Sequence, residues 1–331
     1  MNRFRVALVH VDAPEVPQWV LQKLEEENIE LITHECTTGE EVVQYADGAD
    51  VVWVFGGNRV VTADILPDLK SCGAILRSGS GTDNVPVEAA TRLGIVVANT
   101  PQATSDTVPD HVIALLLAVI RQIPAHNQAM HNGSWNPDAS LHRWNLGGST
   151  LGLVGFGHIA QSLSRKMSGF DLTLLAYDPF VEEQKMNEFS VRKATLPEIW
   201  NEADFISLHV PLTEETHHLV GERELRGMKP HAVLINTSRG AVIDEKALVR
   251  ALSEGWIGAA GLDVFETAPL PGNHPLTGLS NVVLTPHCAG HSPRKLQDFW
   301  HYSVETVIAL SNRRWPHSCV NPGVKPRWEL T

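Results

Sequence analysis

The sequence predicts an α/β protein of two domains. Short apolar runs of strand length recur along the chain and alternate with helix-like segments. One stretch, Thr150 to Pro179, reads as strand, glycine-spaced turn, helix and second strand ending on an acid. The length, 331 residues, suffices for two domains, and the 43% apolar content is ordinary for a globular chain.

The first hundred residues form a small open sheet with helices on its faces. Val6 to Val11 reads as a strand, Trp19 to Glu27 as an amphipathic helix, and Asp50 to Phe55 as a buried strand. Ala74 to Arg77 and Ile95 to Ala98 are further short strands, with helices expected in the intervals. Two glycine-bearing loops follow strands: Gly56-Gly57-Asn58-Arg59, and Ser78-Gly79-Ser80-Gly81-Thr82-Asp83-Asn84. Open α/β sheets bind ligands at strand carboxyl ends, and glycines there free backbone N–H groups for an anion. Turn formation alone is the competing explanation.

Asn99-Thr100-Pro101 interrupts the pattern and is a candidate hinge. Thr107 then reads as an N-cap, with Asp110 three residues on and Pro109 in the first turn. Val112 to Ile120 makes a buried helix that ends or kinks before Pro124, and His111 on it reads as structural.

Leu151 to Val154 opens the βαβ unit. Gly155 allows a tight turn, Gly157 lets the backbone approach a pyrophosphate, and Ala160 takes the third glycine position. The helix that follows offers unpaired N–H groups and a partial positive charge. Leu172 to Tyr177 is the second strand, and Asp178 at its end is placed to accept hydrogen bonds from ribose hydroxyls. Asp178 would repel a 2′-phosphate, and Pro179 and Phe180 supply no arginine to neutralise one, so NAD is expected over NADP.

The alternation continues. Asp204 to Val210 is a strand leading into Pro211, and Ala232 to Asn236 is another, ending in Thr237-Ser238-Arg239-Gly240. Asp244 caps a helix that ends near Gly255. Gly258 to Val264 carries Asp263, and Val282 to Thr285 runs into Pro286-His287-Cys288-Ala289-Gly290. Residues 293 to 312 read as a long helix, and the irregular tail with Trp315, Pro316, Pro322, Pro326 and Trp328 is expected to wrap a surface.

The net charge of −12 argues against nucleic acid and anionic membranes as partners. Cys36, Cys72, Cys288 and Cys319 form no CxxC pair and read as free thiols of a reducing compartment. No signal peptide precedes the first strand, and the longest apolar run, Val112 to Ile120, is too short to cross a bilayer. A cytoplasmic protein is expected. The sixteen histidines include His217-His218 and the pair His287 and His291, but their spacings match no zinc motif, so no metal is expected.

Two strand-end residues carry the chemistry. The planar guanidinium of Arg239 suits a carboxylate, because it donates two parallel hydrogen bonds. His287 exchanges a proton near neutral pH. Beside a nicotinamide site, the pair implies reduction of a 2-keto acid or oxidation of a 2-hydroxy acid.

From about Ala74 to Gly290 the chain resembles the D-isomer-specific 2-hydroxyacid dehydrogenase family, which includes phosphoglycerate dehydrogenases and glyoxylate/hydroxypyruvate reductases. The motifs are GSGTDNVPVEAATRLGIVVANTP, LGLVGFGHIAQ, ADFISLHVPLTEET, MKPHAVLINTSRGAVIDEKALVRAL, GLDVFE and LTPHCAG. The resemblance implies a split fold. Residues 1–101 with 293–331 would form a smaller flavodoxin-like α/β substrate, or lid, domain. Residues 102–292 would form an inserted Rossmann-type NAD-binding domain, with the active site in the cleft between the two and a homodimer as the assembly. Arg239 becomes the carboxylate anchor and His287 the acid/base, and Ser78, Gly79 and Ser80 hold the substrate carboxylate from the lid side. Gly155, Gly157, His158, Ile159, Asp178, Pro211, Thr237, Ser238, Arg239, Asp263, His287, Ala289 and Gly290 become cofactor-binding positions, with Asp263 on the nicotinamide carboxamide. Trp135, in NGSW, matches a family tryptophan near the dimer contact.

The chain departs from the family at two places. The family places a glutamate just before the proline of DVFxxEP, where it orients the histidine and raises its pKa. Here that position is Ala268, in Asp263-Val264-Phe265-Glu266-Thr267-Ala268-Pro269. Three readings stay open: Glu266 or water replaces the missing partner, the enzyme is slow, or the protein binds NAD as a regulatory interaction protein without catalysis. Formate-oxidising relatives share the Arg and His but carry an amide there, which alanine does not match. The loop after Phe55 has Arg59 as its only charge, so a small unphosphorylated substrate is expected. Phe299, Trp300, His301 and Tyr302 would either line a pocket for a bulkier acid or pack the core.

Overall fold

The computed structural model describes residues 3–57, 59–136 and 145–331. It divides into two compact units, Met1–Thr104 with Ser292–Thr331, and Ser105–His291.

Unit 1 is built on β1 (Phe4–Leu8), β2 (Ile29–Thr33), β3 (Val51–Phe55), β4 (Ala74–Ser78) and β5 (Val96–Asn99), all parallel in the order β2-β1-β3-β4-β5. Alternate residues feed two cores. Ala7, Val52, Val54, Ile75 and Val97 face one side, and Leu8, Val51, Trp53, Leu76 and Val96 the other. A parallel sheet covered on both faces needs such near-continuous apolar runs. Helices α1 (Gln18–Glu26), α2 (Gly39–Tyr45) and α3 (Val87–Arg92) fill three intervals.

Two expectations fail here. Ile29–Thr33 is a strand that the sequence reading passed over. It pairs with β1 alone at the sheet edge and is mostly half-buried, so its apolar run is short and broken by Glu30. The interval from Phe55 to Ala74 holds turns rather than a helix among its described residues.

Unit 2 begins with α4 (Thr107–Ile120) and α5 (Ile123–His131). Thr107 is the first helical residue and not the N-cap. Asp106 holds the cap position, but its carboxylate accepts from Ser162 Oγ at 3.1 Å instead of capping. With the turn Pro101–Thr104 included, the helical stretch Pro101–Ile120 reaches 20 residues and is long and apolar enough to cross a membrane, which corrects the shorter count from sequence. Its Val112, Leu115, Leu116 and Val119 are buried in the unit's core, as in an interior helix.

The second sheet contains β6 (Thr150–Val154), β7 (Thr173–Tyr177), β8 (Arg192–Lys193), β9 (Phe205–Leu208), β10 (Val233–Asn236), β11 (Ala259–Leu262) and β12 (Val282–Leu284). All are parallel, in the order β12-β11-β10-β9-β6-β7-β8. The order reverses between β6 and β9, and doubly wound sheets bind ligands in that crevice. Helices α6 (His158–Met167), α7 (Glu183–Asn187), α8 (Leu196–Glu202), α9 (Glu222–Gly227) and α10 (Glu245–Glu254) connect the strands. Asp244 caps α10, accepting from Ala247 N at 3.0 Å.

The chain then returns to unit 1 as α11 (Lys295–Ser311). Its Trp300, Val304, Val307 and Leu310 recur at helical spacing and are buried. The tail does wrap unit 1. Asn321 Oδ1 accepts from Val97 N, Arg327 donates to the carbonyls of Leu69, Cys72 and Leu93, and the Trp328 ring lies against Gly73.

Candidate active site

The turn between β6 and α6 is shaped for a diphosphate. Gly155 has φ +93, and a Cβ there would lie 2.8 Å from the His209 carbonyl oxygen, so only glycine fits. The two loops at the crevice thus pack backbone to backbone. Gly157 is exposed, with open space where a Cβ would stand, and it caps ten-residue α6 without any side-chain hydrogen bond. The first N–H groups of α6 are therefore left to a ligand. His158 is exposed and Ile159 half-buried in that first turn, while Ala160 is fully buried against the sheet.

Asp178 is half-buried at the end of β7. Its Oδ2 accepts from Phe156 N at 2.8 Å and its Oδ1 from Phe180 N at 2.9 Å, so it also ties the glycine turn to its own loop. Each oxygen keeps a further lone pair for a ribose hydroxyl. Pro211 is exposed after β9. Two buried polar atoms in these loops have no partner in the protein: Thr237 Oγ1 and His209 Nε2. Burial holds the His209 pKa down to about 4, so the ring is neutral. An orphaned hydroxyl, an uncapped helix start and an open glycine together fit a dinucleotide.

The Arg239 loop is fixed by a residue that sequence reading missed. Asn236 is 1% exposed at the end of β10. Its Oδ1 accepts from Ser238 N and Ser238 Oγ, and its Nδ2 donates to the Arg239 carbonyl. An Asn at a strand end, just before Thr-Ser-Arg-Gly, was the available signal. Arg239 itself is half-buried, with Nη1 donating to the Ser238 carbonyl. Gly240 presses on the next loop: a Cβ there would lie 1.9 Å from the Phe265 carbonyl carbon. No side chain fits, so the Arg239 loop and the loop after β11 pack backbone against backbone.

Asp263 follows β11 and is fully buried. Its Oδ1 accepts from Thr285 Oγ1 at 2.6 Å and Cys288 N at 2.9 Å, and its Oδ2 from Ala289 N at 2.8 Å. Its carbonyl accepts from His287 N at 2.9 Å. The group expected at the carboxamide thus also builds the turn that presents His287. That residue is exposed, with φ 53 in the left-handed region. Ala289 is buried beneath the turn and Gly290 half-buried.

Ala268 is exposed at the position of the family glutamate. Glu266 is committed nearby: its Oε1 accepts from His218 Nε2 at 2.8 Å and from Glu245 N at 3.1 Å, at the start of α10. Among the described residues, His111, Asp263 and Cys288 bring metal-ligand atoms within 4.8 Å of one another, a grouping invisible to sequence spacing. All four cysteines are free, and burial pushes Cys36 and Cys72 up to about 11.

On unit 1 the expected carboxylate cradle is partly spent. Ser78 is fully buried, with Oγ accepting from Trp53 Nε1 at 2.7 Å and paired with Ser303 Oγ at 2.8 Å. Gly79 donates to Thr100 Oγ1 at 2.7 Å and accepts from Thr100 N. These two hold the end of β4, and the half-buried loop from Ser80 onward is the part left for a ligand. Asn84, the last residue of that loop, accepts from Arg77 Nε and donates to the Gly56 carbonyl, which joins the two unit-1 loops. Asn58 lies outside the described residues. Phe299 and Trp300 pack against Phe55 in the core, while His301 is exposed and Tyr302 half-buried.

Residues 113–289 match the model of the D-isomer specific 2-hydroxyacid dehydrogenase NAD-binding domain. A glyoxylate reductase of Korarchaeum cryptofilum is 37% identical over 317 residues, covering 94% of this chain and 95% of its own. The chain belongs to the D-isomer specific 2-hydroxyacid dehydrogenase family. A glyoxylate reductase of Thermococcus litoralis is 40% identical over 270 residues, 80% of this chain and 81% of that one. A D-lactate dehydrogenase of Aquifex aeolicus, solved with NAD and lactic acid, superposes with a TM-score of 0.79 at 26% identity, covering 93% of this chain and 95% of that one. As a member of the family, this dehydrogenase is an NAD-dependent oxidoreductase that interconverts 2-keto and 2-hydroxy acids. Nothing in these relatives favours the regulatory, non-catalytic reading of Ala268.

Proposed function

We propose that this dehydrogenase reduces a small, unphosphorylated 2-keto acid of the glyoxylate class. The observation that carries the reading is the pair of side chains at strand ends on the same side of one sheet. Arg239 follows β10 and His287 follows β12, with β11 between them, and Asp263 and Gly240 lock the three loops together. Bound NADH supplies the hydride. Arg239 anchors the substrate carboxylate by a two-pronged hydrogen bond and polarises the adjacent carbonyl. His287 gives its proton to the carbonyl oxygen, or takes the hydroxyl proton in the reverse direction. Gly155, Gly157, His158, Ile159, Asp178, Pro211, Thr237, Ser238, Asp263, Ala289 and Gly290 line the dinucleotide site, with Asp178 selecting NAD over NADP.

The names of the relatives support glyoxylate as substrate, and the sparse charge of the 56–59 loop supports an unphosphorylated one. We also read a homodimer from the exposed apolar side chains of α5 and Trp135, and a cytoplasmic setting from the four free thiols. NADH oxidation followed against glyoxylate, hydroxypyruvate, pyruvate and phenylpyruvate from pH 5 to 9 tests the reading. The expected result is the highest kcat/KM for glyoxylate or hydroxypyruvate, with at least tenfold preference for NADH over NADPH. Turnover of phenylpyruvate alone would overturn it.

A further inference from the structure

His111 on α4 reaches the base of the His287 turn. Its Nε2 lies 2.9 Å from Thr285 Oγ1 and 3.6 Å from Asp263 Oδ1. Thr285 Oγ1 is itself 2.6 Å from that Oδ1. Counting hydrogens fixes the directions. Asp263 is surrounded by donors and acts as acceptor, so the single Thr285 hydroxyl proton points to it. The His111 contact is then a donation from Nε2–H to the threonine oxygen, which sets the ring's tautomer. The result is a directed chain, His111 to Thr285 to Asp263, that spans 174 residues of sequence at its first step.

The far end of this chain bears on a turn that needs support. His287 is held at φ 53, a left-handed conformation that a non-glycine residue adopts only at a cost. The supports are the Asp263 carbonyl on His287 N and the Asp263 carboxylate on the N–H groups of Cys288 and Ala289. The carboxylate plane must be set for both N–H groups to be met, and the Thr285 hydroxyl sets it. The threonine oxygen is in turn oriented by His111. A metal explains the grouping less well. The Asp263 oxygens already take three donors, and burial, with Asp263 beside it, raises the Cys288 thiol above its usual range, away from the thiolate a metal needs.

We propose that His111 is a positioning residue for the reaction: through Thr285 and Asp263 it fixes the turn that aims His287. Its role runs through Thr285 and Asp263, and the proposal rests on the reading of His287 as the acid/base. Displacing a catalytic group by about 1 Å costs on the order of 100-fold in rate. His111→Phe should therefore lower kcat for glyoxylate about 10- to 100-fold. KM should stay within about threefold of wild type, because Arg239 is off the path. The NADH dissociation constant, read by fluorescence titration, should rise far less than kcat falls, because the glycine turn at 155 and 157 is untouched and only Asp263 and the turn after it lie on the path. His111→Gln keeps an N–H donor at the same reach and should recover most of the rate. Thr285→Val should reproduce the loss, and the double variant should be no slower than Thr285→Val alone, since both act along one path. His287→Ala is measured alongside. If it retains turnover, the reading of His287 itself fails. If it is inactive while His111→Phe keeps full kcat, the positioning role is wrong. Losses that multiply in the double variant, or an NADH affinity that falls as far as kcat, would also overturn it.

Discussion

At the scale of single residues the most consequential position is Ala268. A carboxylate beside a histidine favours the imidazolium form and raises its pKa. Alanine supplies none, and Glu266 is held by His218 and the start of α10. With His287 as the proposed acid, reduction needs it protonated, so a carboxylate added at position 268 should extend activity to higher pH. Ala268→Glu should move the high-pH limb of kcat/KM for glyoxylate upward, by about one unit for each 1.4 kcal/mol of added interaction. A pH profile that does not move would remove the missing glutamate from the account. The residues proposed for the chemistry and the ribose were legible because they stand at strand ends: Arg239, His287 and Asp178 each follow an apolar run. Those that hold them were not. Asn236, Thr285 and His111 make ordinary-looking sequence, and their roles arise from hydrogen bonds that only the folded chain creates. Ser78 shows the converse: a hydroxyl in a glycine-rich loop looks available for a ligand, and tertiary packing consumes it.

At the scale of elements, legibility followed burial on both faces. β3, β6, β9 and β10 are almost wholly buried, and each is plain in the sequence as a continuous apolar run. Edge strand β2 has four half-buried residues out of five, and its mixed composition concealed it. A polar residue before an apolar run does not by itself settle a helix start. Asp244 does so at α10, whereas Asp106, at the head of α4, bonds to α6 instead. Loss of such a cap costs about 1 kcal/mol. Asp244→Ala should therefore lower the melting temperature by about 2–4 °C in a domain of this size, with kcat for glyoxylate unchanged. Calorimetry beside a rate assay checks both halves. A loss of activity without a loss of stability would mean that α10 contributes to the site through its loop, and that Glu266, which accepts from Glu245 N, is more than an anchor.

At the scale of the molecule, the remaining unexplained feature is apolar surface. Ile123, Met130 and Trp135 are 56%, 52% and 81% exposed, and they fall within thirteen residues of chain on and just beyond α5. Single exposed apolar side chains are ordinary, but a tryptophan close in sequence to two exposed apolar residues is the kind of surface a partner can cover. Buried aromatic residues carry much of the energy of such interfaces. A second copy of the chain is the partner the family resemblance suggests. Light scattering should then give a mass of twice 36.3 kDa. Trp135→Glu would place an unpaired charge where the indole is buried, which costs several kcal/mol, and should shift the population to monomer at micromolar protein. If wild type already runs as a monomer, the patch serves another partner. If Trp135→Glu stays dimeric, the contact lies elsewhere and the exposed tryptophan is not part of it.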